Sequence, residues 1–142
     1  MAYATQADLD NRLTHKRLVE LTDFDGSGEL NAARVTEALD VAGAEIDAYA
    51  AGRYSLPLAQ SKQVNDLCLR IAIYRLYANR QRTIPETVTK DRDDAVALLK
   101  DVASGKASLD QPAATQTTEM DVVKRDHDLN PEVFDETKIT GF

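Results

Sequence analysis

The stretch "KQVNDLCLRIAIYRLYANR", residues 62–80, is the most apolar part of this chain and the starting point for its architecture. Its apolar side chains recur at steps of three and four residues, as they do along one face of an α-helix. We therefore expect a helix from about Lys62 to Arg80 at the centre of the core. Its buried side would be formed by Val64, Leu67, Cys68, Ile71, Tyr74 and Leu76.

A second amphipathic helix is predicted before it, from Asn31 to about Tyr54, because the same steps separate its apolar residues. Its many alanines make this helix slim, so that a neighbour can pack close to it. Pro57 ends the helical pattern, because a proline moves the preceding residue away from helical dihedral angles. The predicted apolar face carries Val35, Leu39, Ala42, Ile46 and Tyr49.

Cap signals mark the remaining helical segments. Thr5 and Asp8 form a capping box, which begins a short helix. The stretch "KRLVELT", residues 16–22, continues as a helical turn. Pro85 suits a first helical turn and Gly105 suits the position after a last one. The sequence therefore predicts an all-α fold, a small helical bundle of about four to five helices that occupies residues 1–105.

The chain changes character after Gly105. Residues 106–142 are polar, contain two prolines and show no sustained period, so they cannot bury enough apolar surface to order themselves alone. This pattern predicts an extended, partly disordered C-terminal tail. Apolar side chains near its end are either scattered hydrophobic residues or a segment that folds onto a partner. These candidate partner-binding residues are Val133, Phe134, Ile139 and Phe142.

The stretch "DFDGSGELNAAR", residues 23–34, has the spacing of an EF-hand calcium loop. Such a loop places oxygen ligands at positions 1, 3, 5, 7, 9 and 12, with a glycine at position 6. The twelfth position, where a bidentate glutamate belongs, is occupied by Arg34. The weak metal candidates are Asp23, Asp25, Ser27 and, through its carbonyl, Glu29.

Two interpretations of this loop remain open from the sequence. A helix-to-helix turn is the favoured one, because Asp, Gly and Ser dominate turns and Asn31 suits the start of the next helix. A cation at the place of the strongest anionic ligand should remove most calcium affinity. The alternative is that the protein is a calcium-responsive helical binding module with a single degenerate EF-hand-like loop.

Composition excludes several classes of protein. The 142 residues include 17 Lys and Arg against 24 Asp and Glu, and the net charge of −7 argues against binding to the DNA backbone. The single cysteine, Cys68, excludes an internal disulfide and a cysteine-based zinc site. No apolar run approaches the length of a membrane span, and the N-terminus lacks the pattern of a signal peptide. We therefore expect no membrane contact and a cytoplasm-like setting.

No constellation of catalytic residues appears in the sequence. It contains no Gly-rich phosphate loop, no HExxH motif and no GxSxG nucleophile elbow. The paired acids at Asp93 and Asp94 lie in a stretch that is typical of a solvated helix face. We expect that the protein is not an enzyme and takes no cofactor.

Four stretches in this order resemble the small neck proteins of Mu-like phages and prophages. They are "MAYATQADLDNRL", "LVELTDFDGSGELNAARVTEALDVAGAEIDAYAAGRYSLPL", "LCLRIAIYRLY" and "DAVALLKDVASGKASL". The most specific piece is "AEIDAYAAGRYSLPL", residues 44–58, and the resemblance covers roughly residues 1–110. That family has an Asp/Gly-rich turn at the position of residues 23–28.

The resemblance implies a structural head–tail connector, also called an adaptor or neck protein. Related adaptors are helical bundles that form a ring of about twelve copies beneath the portal protein. Their ring prolongs the DNA channel without specific DNA binding and offers a docking surface to a stopper or tail-terminator protein. The location implied is the virion neck, after assembly in the bacterial host cytoplasm. By the same analogy, residues 128–142 would dock on the portal, and no enzyme activity is implied.

Overall fold

A computed structural model describes residues 2–112, which fold into five α-helices and contain no β-strand in this range. The all-α prediction is therefore confirmed. No helix in the described range is long and apolar enough to cross a membrane. The helices are α1 (Gln6–Leu13), α2 (His15–Thr22), α3 (Ala32–Ala50), α4 (Lys62–Arg80) and α5 (Glu86–Ser104).

Helix α4 is the centre of the bundle, as its apolar sequence predicts. It packs against each of the other four helices, most extensively against α3 and α5. Because neighbours cover it on several sides, its buried surface is broader than the single stripe expected from the sequence. The buried residues are Val64, Leu67, Cys68, Leu69, Ile71, Ala72, Ile73, Leu76 and Tyr77.

The predicted buried stripe of α4 is wrong at one residue, Tyr74. Tyr74 is only half-buried, whereas Tyr77 lies in the core with 7% of its surface exposed. The ring of Tyr74 instead lies under the guanidinium group of Arg92 from α5, 5.0 Å from the ring centroid. The buried side of α4 therefore extends around the helix toward Tyr77 at its C-terminal end.

Helix α3 buries four of the five predicted apolar residues, whereas Tyr49 is half-buried. Small residues on the same side, including Ala38 and Gly43, are also buried and let neighbouring helices approach closely. The helix ends at Ala50 rather than near Tyr54. A turn follows the helix, in which the N–H groups of Arg53 and Tyr54 both donate to the carbonyl oxygen of Ala50.

The predicted caps are present in the structure. Thr5 and Asp8 make both hydrogen bonds of the capping box at the start of α1. The Asn31 side chain accepts from the Arg34 N–H and so begins α3. Pro85 stands one residue before α5, and Gly105 follows its end at a φ of 90°, in the left-handed region that favours glycine.

The chain remains packed against the bundle beyond Gly105. Leu109 joins the core with 5% of its surface exposed, and Ala107 packs against the core in part. The sequence placed the start of the tail at residue 106, whereas packing continues as far as residue 111. The apolar side chain of Leu109 accounts for this difference, because burying it stabilises a segment that is otherwise polar.

Candidate functional site

The Asp23 carboxylate organises the loop between α2 and α3. Its Oδ1 atom accepts from the N–H and the hydroxyl of Ser27, at 3.0 and 3.2 Å. Its Oδ2 atom accepts from the Gly28 N–H at 2.7 Å. These bonds, the one from Gly28 first, lower the pKa of Asp23. Gly26 and Gly28 both have φ near 80°, at 76° and 79°, a conformation that glycine adopts without strain.

Thr22 links the two ends of the same loop by hydrogen bonds in the protein interior. Its buried hydroxyl donates to the Leu18 carbonyl oxygen at 2.9 Å and accepts from the Asn31 N–H at 3.3 Å. The end of α2 is thereby joined directly to the residue that caps α3. The loop is a turn that holds two helices together through its own hydrogen bonds.

The four metal candidates of this loop line one shallow surface cavity between α2 and α3. Asp25, Ser27 and Glu29 are exposed, and Asp23 already accepts three hydrogen bonds. Residues 2–112 hold no cluster of three or more His, Cys, Asp or Glu side chains that could bind a metal ion. This geometry supports the interpretation of the loop as a turn.

Arg34, at the twelfth position of the apparent calcium loop, has a structural role. Its guanidinium group stacks on the Phe24 ring, 3.6 Å from the centroid. Such cation–π contacts stabilise a protein by roughly 0.5–2 kcal/mol. The residue that departs from the calcium pattern therefore packs against an aromatic residue of the same loop.

The predicted partner-binding residues, Val133, Phe134, Ile139 and Phe142, lie outside the described residues. What the structure does describe is the tail root, which we define as residues 106–111. The Tyr54 hydroxyl accepts from the Leu109 N–H at 2.9 Å. The side-chain oxygen of Gln63 accepts from the Asp110 N–H at 2.8 Å.

A third contact ties the end of the tail root to the loop before α4. The Gln111 side-chain amide accepts from the Ala59 N–H at 2.7 Å and donates to the Ala59 carbonyl oxygen at 2.8 Å. A paired contact of this kind is geometrically specific, because both the donor and the acceptor must face the same residue. The tail root is therefore held at three successive residues, 109, 110 and 111.

Arg53 secures the end of α5 from which the tail root continues. Its Nη1 atom donates to the Val102 carbonyl oxygen at 3.3 Å, in the last turn of that helix. A cation is favourable there, because the C-terminal end of a helix carries partial negative charge. Gly105 leaves room for this contact, since a Cβ atom at that position would lie 3.1 Å from Arg53 Nη1.

Tyr3 fixes the loop at residues 51–61 from the other end of the chain. Its hydroxyl donates to the Asp47 carboxylate and accepts from the Leu58 N–H at 3.1 Å. Burial, followed by the bond to Asp47, raises the pKa of Tyr3. Hydrogen bonds thus join Tyr3 and the tail root to the same loop, residues 51–61.

The residues of this site carry only a weak signal in the sequence. The Gly-Arg-Tyr piece at residues 52–54 stands out as a motif, but nothing in it shows that Arg53 and Tyr54 contact the segment after α5. Gln63 and Gln111 have no local pattern to distinguish them. Only the packing of α3, α4 and α5 brings these four side chains together.

Comparison with known proteins identifies the family of this chain. The family described as "Bacteriophage Mu, Gp36" matches residues 3–125, which include all five helices and the tail root. The chain is also similar to the Mu-like prophage FluMu protein gp36 of Haemophilus influenzae. The two are 36% identical over 118 residues, which is 82% of each chain. This chain belongs to the bacteriophage Mu Gp36 family.

Proposed function

We propose that the protein is a structural head–tail connector of a Mu-like phage or prophage. In this role it forms a ring of about twelve copies between the portal and the tail, in the neck of the virion. Membership of a phage protein family supports the setting. The observation that carries the proposal is the tail root, which anchors the start of a long polar tail to a compact bundle.

A tail that is fixed at its root suits a protein that joins two larger assemblies. The bundle would form the body of the ring, and the segment after residue 112 would contact the adjoining assembly. We propose that Val133, Phe134, Ile139 and Phe142 anchor the tail to the portal or to a neighbouring subunit, since aromatic and aliphatic side chains contribute most of the energy of many interfaces. The opposite side of the ring would receive a stopper or tail-terminator protein.

The charge of the chain suits a channel through which DNA passes. A net charge of −7 disfavours adhesion to DNA phosphates, which bind proteins mainly by neutralisation with Lys and Arg. A genome could therefore move through such a ring without specific contacts. Assembly would take place in the cytoplasm of the bacterial host.

The mass of the purified protein, measured with and without portal, tests the proposal. We expect a ring-sized complex on the portal, measured by light scattering or native mass spectrometry. A chain that never associates with portal particles, while its helical content remains intact by circular dichroism, would contradict a connector role.

Deletion of residues 129–142 tests the tail separately. None of the described core residues lies in this segment, so the truncated protein should keep the melting temperature of the bundle. Portal attachment should be lost, and phage that carry the deletion should yield heads without tails. Attachment that survives the deletion would show that the tail is a passive extension.

A further inference from the structure

Two arginines from different helices share one aromatic ring at the surface of the bundle. The guanidinium carbon of Arg34 lies 3.6 Å from the centroid of the Phe24 ring, and that of Arg80 lies 4.9 Å from it. All three side chains are partly exposed. We call Phe24, Arg34 and Arg80 the arginine surface.

The positive charge of this surface is not balanced locally. Within residues 2–112, neither of its two arginines has a carboxylate oxygen within 4 Å, although the chain as a whole is acidic. Arg34 is the third residue of α3, where the helix dipole already contributes positive potential. The two arginines on one ring also repel each other. Carboxylates from elsewhere would therefore be attracted to this surface.

The chain carries a segment of matching chemistry outside the described residues. Residues 126–136, "DHDLNPEVFDE", contain five carboxylates and neither Lys nor Arg. Phe134 stands between acidic residues in this segment, as the Phe24 ring stands between arginines on the bundle. The acidic residues are Asp126, Asp128, Glu132, Asp135 and Glu136.

The tail root and the arginine surface are associated with opposite ends of α4. Asp110 binds Gln63 near the start of this helix, whereas Arg80 is its last residue. A helix of 19 residues is about 28 Å long. A donor at one end of a subunit and an acceptor at the other favour head-to-tail contacts, in which each copy binds the next. Residues 113–125 can span at most about 45 Å, which is more than the length of α4.

We propose that residues 126–136 of one copy bind the arginine surface of a second copy. The carboxylates pair with Arg34 and Arg80, and Phe134 packs beside the Phe24 ring. This contact deepens the proposed ring, but it needs only two copies of the chain and no portal. Residues Ile139 and Phe142, beyond the segment, remain available for the portal.

Binding of a synthetic peptide with the sequence of residues 126–136 tests the contact directly. The receptor is the full chain in which the five acidic residues of segment 126–136 are replaced by the corresponding amides. Its own tail then does not compete with the peptide. We expect saturable binding, measured by fluorescence anisotropy. Adding the Arg34→Gln/Arg80→Gln pair to this receptor should weaken its affinity for the peptide at least about tenfold. Binding should also weaken between about 50 and 300 mM salt, because salt screens exposed charges.

Matched controls separate this contact from general charge attraction. Arg17→Gln removes an exposed arginine that pairs with Glu20 on α2, and it should leave peptide affinity unchanged. Arg34→Lys/Arg80→Lys keeps both positive charges and should retain most of the binding, and circular dichroism should show that the Arg34→Gln/Arg80→Gln receptor keeps its helical content. A peptide with all five acids replaced by amides should not bind. Equal binding of the acidic peptide to the Arg34→Gln/Arg80→Gln receptor would overturn the proposal.

Mixing two full-length variants distinguishes a second copy from the same chain. One variant has the neutral tail and intact arginines, and the other has the intact tail and the Arg34→Gln/Arg80→Gln pair. We expect a one-to-one complex only in the mixture, by analytical ultracentrifugation. A mixture that stays monomeric at concentrations above the peptide Kd would overturn binding between copies. Because portal is absent, these results do not depend on whether the connector proposal holds.

Discussion

The Tyr54 hydroxyl accepts a hydrogen bond from the backbone N–H of Leu109, across 55 positions of the sequence. This bond joins the loop after α3 to the segment that leaves α5. Together with the Gln111 contact to Ala59, it holds residues 109–111 against the bundle.

Replacing Tyr54 with phenylalanine should loosen the tail root. The change leaves the part-buried Leu109 N–H without its acceptor, which costs about 1–3 kcal/mol when water does not replace it. We expect faster hydrogen exchange at residues 109–111 and a lower melting temperature. Tyr49→Phe is the matched control, because the Tyr49 hydroxyl makes no hydrogen bond within the described residues. Unchanged exchange at residues 109–111 would show that Leu109 burial alone holds the segment.

Replacing Ile71 with alanine should destabilise the bundle by about 2–5 kcal/mol, as is usual when a large buried aliphatic side chain is truncated. Ile71 has 2% of its surface exposed on the central helix α4. Chemical denaturation measures this change in the free energy of unfolding. Leu56→Ala is the control, because Leu56 is 44% exposed and should change stability by less than about 0.5 kcal/mol. A loss that small at Ile71 would contradict its core position.

Acid should weaken the start of α1 through Asp8. Hydrogen bonds from the Thr5 backbone and then from the Asn65 side chain lower the pKa of Asp8 below its ordinary value of 3.8. A carboxyl group with a lowered folded-state pKa contributes stability above the unfolded-state value and loses it as pH falls through the folded-state value. Asp8→Asn should therefore reduce the loss of stability as pH falls below the ordinary value of 3.8, measured by urea denaturation.

The control for this pH dependence is Asp25→Asn, whose carboxylate accepts no hydrogen bond from the described residues. It should leave the acid limb of the stability profile close to that of the unmodified chain. An Asp8→Asn profile that matches the unmodified one would show that the capping box contributes no measurable stability over this pH range.

Calcium should not be needed for folding, because Asp23 is satisfied by Ser27 and Gly28 and Arg34 occupies the twelfth loop position. Differential scanning calorimetry with EDTA and with millimolar calcium should give nearly equal melting temperatures. The substitution Arg34→Glu restores the missing bidentate ligand and should create or strengthen calcium binding. A saturable rise in the melting temperature that disappears in Asp23→Ala would support the calcium-module alternative instead.

Local patterns in the amino-acid chain were enough to predict the helices and their caps. The steps of three and four around Val64, Leu67 and Ile71 identify α4, since an amphipathic helix repeats every 3.6 residues. The capping box at Thr5 and the glycine at 105 depend on neighbours within a few positions, so they are equally visible. The order of the stretches was also sufficient for the family resemblance, and the family match confirms its phage setting.

The tertiary structure was needed wherever contacts join distant parts of the chain. Tyr77 rather than Tyr74 is buried because several helices cover α4, and the period of a single helix does not contain that information. Arg53 reaches Val102, Tyr54 reaches Leu109, and these pairs are 49 and 55 residues apart. Their partners depend on how α3 and α5 pack, a long-range property that no local spacing encodes. For the same reason, two arginines that are 46 positions apart in the printed sequence meet on one phenylalanine ring only in the folded protein.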